Sequence, residues 1–119
     1  TLEGVVVAGN RLGRTIGFPT ANMDVADRND LANGVYRSEV EIDGRRYRAM
    51  SNVGVRPSVD GRTRLLETHI FDFHGDLYGR VLRVALIEKI RDEKRFASIG
   101  DLKKQLQRDY DLILNMRTW

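Results

Sequence analysis

A glycine- and arginine-rich stretch near the start of the chain has the composition of a phosphate-binding loop. It reads Gly9-Asn10-Arg11-Leu12-Gly13-Arg14-Thr15. Glycines allow backbone N–H groups to face an anion, and arginines add charged donors. The stretch is not a Walker A loop, because Arg14 stands in place of lysine and Gly17 and Pro19 oppose an immediate helix. Taken alone, it fits a solvated turn better than an anion site.

The next segment, Gly17-Phe18-Pro19-Thr20-Ala21-Asn22, carries two oxygen donors at a spacing of two residues. Pro19 favours an extended conformation for Phe18, and in extended backbone Thr20 and Asn22 project to the same side. A hydroxyl and an amide oxygen can complete the shell of an Mg²⁺ ion that keeps substrate phosphates as ligands. The alternative is a turn in which both side chains bond their own backbone. Without further context, the turn is the more common outcome.

A third candidate is a carboxylate in a strand-like segment, Leu66 to Phe73. Alternation places Glu67 and His69 on one face and Thr68 and Ile70 on the other. A buried carboxylate is costly unless it is paired or used, and Glu67 could serve as a general base toward an alcohol. The alternative is a solvent-facing glutamate, the more common fate on a strand. Periodicity does not decide between the two.

Composition limits the chemistry available to these residues. The 119-residue chain has no cysteine and two histidines, which excludes disulfides and a thiolate metal site and favours a hard, oxygen-bound metal. A net charge of +3 suits nucleic acid, membrane surfaces or phosphorylated small molecules. However, like charges do not cluster, and apolar runs are too short to span a bilayer. We expect a cytoplasmic protein without membrane or nucleic-acid partners. Thr1 is not an initiator methionine, which favours a natural start upstream of it.

Elements that could position these residues follow from periodicity. Alternation from Gly34 to Ile42, then Asp43-Gly44, then Tyr47 to Val53 predicts a β-hairpin with a type I′ turn. Further strands are predicted at Leu2–Ala8, Leu66–Phe73 and Val81–Glu88. From Ser98 onward the period changes to that of a helix, with a stripe of apolar residues, and Ser98 with Asp101 resembles a capping box. The stripe consists of Ile99, Leu102, Leu106, Tyr110 and Ile113.

Five or six strands followed by one helix predict a mainly β fold, a small antiparallel barrel with the helix packed on it. Segments 9–30 and 56–64 are too long and too rich in glycine or polar residues for simple turns, and we predict long, functional loops there. The charged run Ile90 to Phe96 joins the last strand to the helix. Alone, it is typical of a solvated linker.

Several strings of residues carry a resemblance to a known family. They are Gly9…Gly13-Arg14, Gly17-Phe18-Pro19-Thr20-Ala21-Asn22, Gly34-Val35-Tyr36, Ser51-Asn52-Val53-Gly54-Val55-Arg56-Pro57-Ser58, Leu66-Glu67-Thr68-His69-Ile70-Phe71-Asp72-Phe73, Gly75-Asp76-Leu77-Tyr78-Gly79 and Ile90-Arg91-Asp92-Glu93-Lys94-Arg95-Phe96. In this order and spacing they resemble the riboflavin kinase family, in particular the kinase module of bacterial bifunctional riboflavin kinase/FAD synthetases. The match runs nearly end to end.

The resemblance implies a single domain over residues 1–119, a six-stranded antiparallel Greek-key-like barrel with a C-terminal helix. It implies that Glu67 is the catalytic base and that Thr20 and Asn22 bind Mg²⁺ together with the ATP phosphates, with Mn²⁺ and Zn²⁺ as alternatives. The implied ATP site comprises Gly9, Gly13, Arg14, Thr20, Ile70, Asp72 and Tyr78. The implied riboflavin contacts are Arg91, Glu93 and Phe96.

The implied reaction is transfer of the γ-phosphate of ATP to the terminal ribityl hydroxyl of riboflavin, giving FMN and ADP. Bifunctional members also carry an adenylyltransferase module, for which 119 residues leave no room. We therefore expect a monofunctional kinase or one module of a longer chain, unable to make FAD by itself. The alternative from another class is a non-catalytic barrel that binds flavin or single-stranded nucleic acid.

Overall fold

Six antiparallel strands close into a barrel and one helix follows them. The computed structural model describes residues 1–7, 17–58 and 61–116. The strands are β1 (Leu2–Val7), β2 (Ala21–Asp24), β3 (Gly34–Ile42), β4 (Arg45–Ser58), β5 (Gly61–Ile70) and β6 (Val81–Arg91), and the helix is α1 (Ile99–Leu114). Around the barrel the order is β1-β2-β5-β4-β3-β6. Strands β2-β5-β4-β3 thus form a Greek key, and the predicted fold class is confirmed.

The barrel interior is filled by alternate side chains of every strand. Buried core residues include Val6, Met23, Val40, Val53, Leu66 and Val84. Three buried hydroxyls also lie among them: Ser51 Oγ is 2.8 Å from Ser38 Oγ and 2.8 Å from Thr68 Oγ1. These bonds link β3, β4 and β5 in one row, so the polar groups enclosed by the barrel have partners.

The β3–β4 hairpin forms as predicted. Ile42 pairs with Arg45, and the two turn residues have positive φ, 52° at Asp43 and 82° at Gly44. Positive φ at both central positions is the geometry of a type I′ turn, which suits the twist of the flanking strands. Tyr36, Ser38 and Val40 face inward, as their alternation predicts.

Three predicted boundaries were wrong. Segment 56–64, predicted as a loop, belongs largely to the long hairpin in which β4 runs to Ser58 and β5 starts at Gly61. Strand β5 ends at Ile70 rather than Phe73, because the chain turns at Asp72, whose φ is +56°. Segment 9–30, also predicted as a loop, contains β2, four residues long, which pairs with both β1 and β5.

Helix α1 packs against the outside of the barrel. Ser98 caps it, since its Oγ accepts a hydrogen bond of 3.1 Å from the Asp101 N–H, as predicted. A second apolar cluster joins helix and barrel; it contains Phe18, Met50, Phe71 and Ile113, with Leu106 and Tyr110 packed beside them. Ile99, the first residue of the predicted apolar stripe, is exposed. Within the described residues, no helix combines the length and apolarity that a membrane crossing needs.

Candidate active site

A cavity of about 140 Å³ lies between the outer surface of the barrel and helix α1. Its wall is apolar toward the helix and polar toward β4 and β5. The lining residues are Phe18, Thr20, Val35, Met50, Ser51, Asn52, Arg56, Glu67, His69, Leu102 and Leu106. Two predicted site residues, Thr20 and Glu67, are therefore brought together in one cavity, although 47 positions separate them in the sequence (67 − 20).

A row of polar residues crosses the strands beside this cavity. Glu67 on β5 pairs with Asn22 on β2 and with Asn52 on β4. Directly opposed residues of antiparallel strands have side chains on the same face, so the three share the outer surface. Asn22 is buried, and its Oδ1 and that of Asn52 have no hydrogen-bond partner among the described residues. Buried acceptors without partners are rare, and these two can accept a bond from a ligand or coordinate a cation.

Glu67 faces outward from the barrel but is not solvated. Its side chain is 14% exposed, because the residues around the cavity cover it. Burial raises the pKa of the Glu67 carboxyl above its ordinary value, and the guanidinium of Arg56 opposes that rise. The sequence left two alternatives for Glu67, a buried carboxylate and a solvent-facing one, and neither describes its position fully. It is a covered carboxylate on the outer face.

Arg56 on β4 joins two carboxylates. Its Nε and Nη2 lie 2.9 and 2.8 Å from Glu67 Oε1, and its Nη1 donates to Glu93 Oε1 at 2.9 Å. Glu93 lies in the segment after β6 and rests against Gly54, where a Cβ would collide with its Oε1. Arg56 and Asn52 were not predicted as site residues. The only sequence signal was their presence in the string 51–58.

A hydrogen bond fixes the segment that carries Thr20. His69 Nδ1 lies 2.9 Å from the carbonyl oxygen of Pro19, and burial lowers the pKa of the His69 imidazole. The neutral ring therefore donates from Nδ1, since a carbonyl only accepts. The His69 ring also contacts Phe18, Phe71 and Tyr110, with ring centres 5.3 to 6.3 Å away. These contacts tie the turn before Thr20 to β5.

Other predicted ATP-site residues lie away from the cavity. Ile70 is buried inside the barrel core. Asp72 and Tyr78 are exposed in the segment between β5 and β6, and neither lines the cavity. Gly9, Gly13 and Arg14 fall outside the described residues. Their assignment to ATP stays a prediction.

The residues predicted to contact riboflavin also differ in their position relative to the cavity. Arg91 makes a bidentate ion pair with the buried Asp109 of α1, with Nη2 2.7 Å from Oδ2 and Nε 3.0 Å from Oδ1. This pair fastens the helix to β6, so Arg91 acts in the structure as an anchor beside the cavity wall rather than as part of it. Glu93 reaches the site through Arg56, and Phe96 is half-buried.

The donors at the site suit a hard cation that brings ligands of its own. Within the described residues no three histidine or acidic side chains cluster to hold a metal. Thr20 and Asn22 supply a hydroxyl and a buried amide oxygen that has no partner. Mg²⁺ accepts such a sparse protein shell when phosphate oxygens and water complete it. The residues present therefore fit a metal–nucleotide complex.

Comparison with known proteins relates this architecture to a family. A family model described as flavokinase, riboflavin kinase, matches residues 1–116. The Escherichia coli (strain K12) bifunctional riboflavin kinase/FMN adenylyltransferase is 47% identical over 109 residues, 91% of this chain and 35% of that protein. The chain thus spans about a third of the length of this curated relative.

Two solved structures share the fold. A Streptococcus pneumoniae protein described as a macrolide-efflux protein is 43% identical, with a TM-score of 0.85 over 97% of this chain and 38% of that one. Riboflavin kinase from Trypanosoma brucei is 23% identical, with a TM-score of 0.64 over 97% of this chain and 77% of that one. The second likeness supports the barrel-and-helix architecture alone.

Proposed function

The chain belongs to the riboflavin kinase family, and on that premise we propose that it transfers the γ-phosphate of ATP to the terminal ribityl hydroxyl of riboflavin, giving FMN and ADP. The observation that carries the proposal is the covered carboxylate of Glu67, which shares a cavity with Thr20 and pairs across the sheet with Asn22. A base with hard oxygen donors beside it suits phosphoryl transfer to an alcohol.

Glu67 acts as the general base in this proposal. Both contacts between Arg56 and Glu67 are made to Oε1 of Glu67. Oε2 of Glu67 is therefore the oxygen that accepts the proton of the ribityl hydroxyl. The hydroxyl oxygen then attacks the γ-phosphorus in line, the bond from phosphorus to the β–γ bridging oxygen breaks, and ADP leaves. Burial supports the role, because a carboxylate with a raised pKa is a stronger base than a solvated one.

Thr20 and Asn22 would hold the metal together with the ATP phosphates, and Mg²⁺ is the metal we propose. When bound, the ion neutralises charge on the phosphate oxygens and so favours attack by a hydroxyl. The chain's own contribution is to aim the two donors: β2 pairing holds Asn22 beside Glu67, and the His69–Pro19 bond holds the turn before Thr20. Gly9, Gly13 and Arg14 are proposed to bind the phosphates, and Ile70, Asp72 and Tyr78 the rest of the nucleotide.

The apolar side of the cavity suits the flat ring system of riboflavin. Phe18, Met50, Leu102 and Leu106 line it, and burial of an aromatic ring against such side chains is favourable. We propose that Glu93 and Phe96 border this space, and that Arg91 supports it by holding α1 through Asp109. The relatives' names also include an adenylyltransferase activity. We do not assign that activity to these 119 residues and propose it only for an additional module of the natural protein.

The test is an assay of the purified 119-residue chain with riboflavin, ATP and each divalent metal in turn. We expect FMN and ADP in equal amounts, dependence on a divalent metal, and no FAD when FMN and ATP are supplied. Chromatography with flavin fluorescence separates the three flavins. Absence of FMN with Mg²⁺, Mn²⁺ and Zn²⁺ alike would refute the kinase proposal, and FAD formation would refute the assignment of a single activity to these residues.

A further inference from the structure

A continuous ion network runs along one side of the cavity. It consists of Glu67 on β5, Arg56 on β4 and Glu93 after β6, with side chains 14%, 22% and 28% exposed. Three guanidinium nitrogens are engaged by the two carboxylates. Because all three side chains are largely covered, solvent competes weakly for these bonds.

Arg56 holds one of the two carboxylate oxygens of Glu67. Nε and Nη2 of Arg56 approach the same oxygen, Oε1, at 2.9 and 2.8 Å. A guanidinium is planar, so its two donors hold the position of Oε1, and the covalent geometry of the side chain then limits where Oε2 can lie. A lysine at this position could offer only a single, freely rotating point charge.

The other end of Arg56 is anchored in turn. Its Nη1 donates to Glu93 Oε1 at 2.9 Å and to the Val55 carbonyl at 3.0 Å. Glu93 can approach only because position 54 is glycine, since a Cβ there would collide with the Glu93 carboxylate. Arg56 is therefore held by a carboxylate on each side of its guanidinium, and it cannot reach further into the cavity that it lines without giving up one of them.

We propose that Arg56 is a positioning residue for the transfer reaction: anchored by Glu93 over Gly54, it holds Glu67 so that the carboxylate oxygen it does not bind faces the attacking hydroxyl. This inference rests on the proposed function, because it assigns Arg56 a part in the work of Glu67. It makes Arg56 act through Glu67 alone, without contacting the transferred phosphoryl group.

A double-mutant cycle on the 119-residue chain tests this. Arg56→Gln should lower kcat by about 10²-fold, the usual effect of misplacing a reacting group by about 1 Å, while KM for riboflavin and for ATP changes little. In a Glu67→Gln background, followed in single-turnover reactions, the same substitution should have no further effect. Arg56→Lys should give an intermediate kcat. Arg83→Gln, which removes an exposed arginine paired with Glu3, is the matched control and should keep the parental kcat.

Two results would overturn the proposal. An equal loss of kcat in both backgrounds would mean that Arg56 acts independently of Glu67, and a raised KM with unchanged kcat would mean that it binds substrate. If Arg56→Gln does not fold, as judged by thermal melting, Gly54→Ala replaces it in the cycle, because its Cβ would displace both the Glu93 carboxylate and Nη1 of Arg56, the far ends of two side chains, and so break the anchor. Parental kcat in folded Gly54→Ala would also refute the proposal. A parent chain that makes no FMN would instead refute the proposed function.

Discussion

Replacing Glu67 by glutamine separates a catalytic carboxylate from a structural one. The amide keeps the shape of the side chain and an oxygen that can accept from Arg56, but it cannot take a proton. Loss of a general base typically lowers the rate by about 10²–10⁴-fold. At 1.36 kcal/mol per factor of ten, this corresponds to about 2.7–5.4 kcal/mol on the barrier. We expect kcat to fall by this amount, with little change in the affinity for riboflavin or ATP.

The same substitution has a predictable effect on stability. Burial raises the pKa of Glu67 in the folded protein, so above that pKa the ionised carboxylate is less favourable in the folded than in the unfolded chain. Glutamine removes that cost, and Arg56 retains Glu93 as a partner. At neutral pH the variant should therefore unfold at the same temperature as the parent or higher. The difference should shrink as the pH falls through the raised pKa of the folded protein and should disappear below the ordinary value of 4.5, where the parent carboxyl is protonated in both states.

Three measurements on this variant check the reasoning: kcat, riboflavin affinity by fluorescence quenching, and melting temperature at pH 4 to 8. Glu3→Gln is the matched control, because Glu3 is an exposed strand glutamate paired with Arg83; it should keep the parental kcat and change the unfolding free energy by at most about 0.5 kcal/mol. Turnover of Glu67→Gln within a few-fold of the parent would remove Glu67 from the mechanism. A lower melting temperature at neutral pH would show that the ion pair outweighs the burial cost.

Thr20→Ala and Asn22→Ala should each weaken binding of Mn²⁺ in the presence of a non-hydrolysable ATP analogue by tenfold or more, measured by electron paramagnetic resonance, with parental melting temperatures; unchanged metal affinity in both would contradict the metal assignment. Asp109→Asn should lower the unfolding free energy by about 3 kcal/mol in urea titrations, because Arg91 loses the charge of a buried partner, and a loss below about 1 kcal/mol would mean that this pair does not anchor α1. Ser98→Ala should cost about 1 kcal/mol through loss of the helix cap, whereas Ser98→Asp, which preserves a capping oxygen, should cost little; equal losses in the two variants would argue against capping.

Local patterns were enough to predict much of the fold. Asp43-Gly44 identified its hairpin because a type I′ turn needs positive φ at two adjacent residues, a requirement that few dipeptides meet. Ser98 marked the helix start for a similarly local reason. Strand β2 was missed because four residues, two of them polar, are too few for a periodic pattern. Its position depends on pairing with β1 and β5, and such pairing between separate segments leaves no local pattern in the sequence.

The site was predictable only in part, because its environment comes from contacts between distant segments. Alternation placed Glu67 on a face but could not reveal that neighbouring elements cover that face. The ion network was invisible for the same reason: whether Arg56 meets Glu67 depends on the register of β4 against β5, and one residue of slip would send them to opposite faces. The ion pair of Arg91 was unpredictable for a similar reason. Its partner Asp109 lies on helix α1, and no sequence motif specifies where that helix packs on the barrel.

The strand order also has a consequence for how the chain folds during synthesis. Strands β3, β4 and β5 pair with their sequence neighbours, so the Arg56–Glu67 pair, 11 residues apart, can form as soon as that hairpin leaves the ribosome. The barrel cannot close until β6 is made, because Leu2 pairs with Val84 from the far end of the chain. Helix α1 follows later still. We therefore expect the base and its arginine to meet on an open sheet, and the cavity around them to be enclosed last.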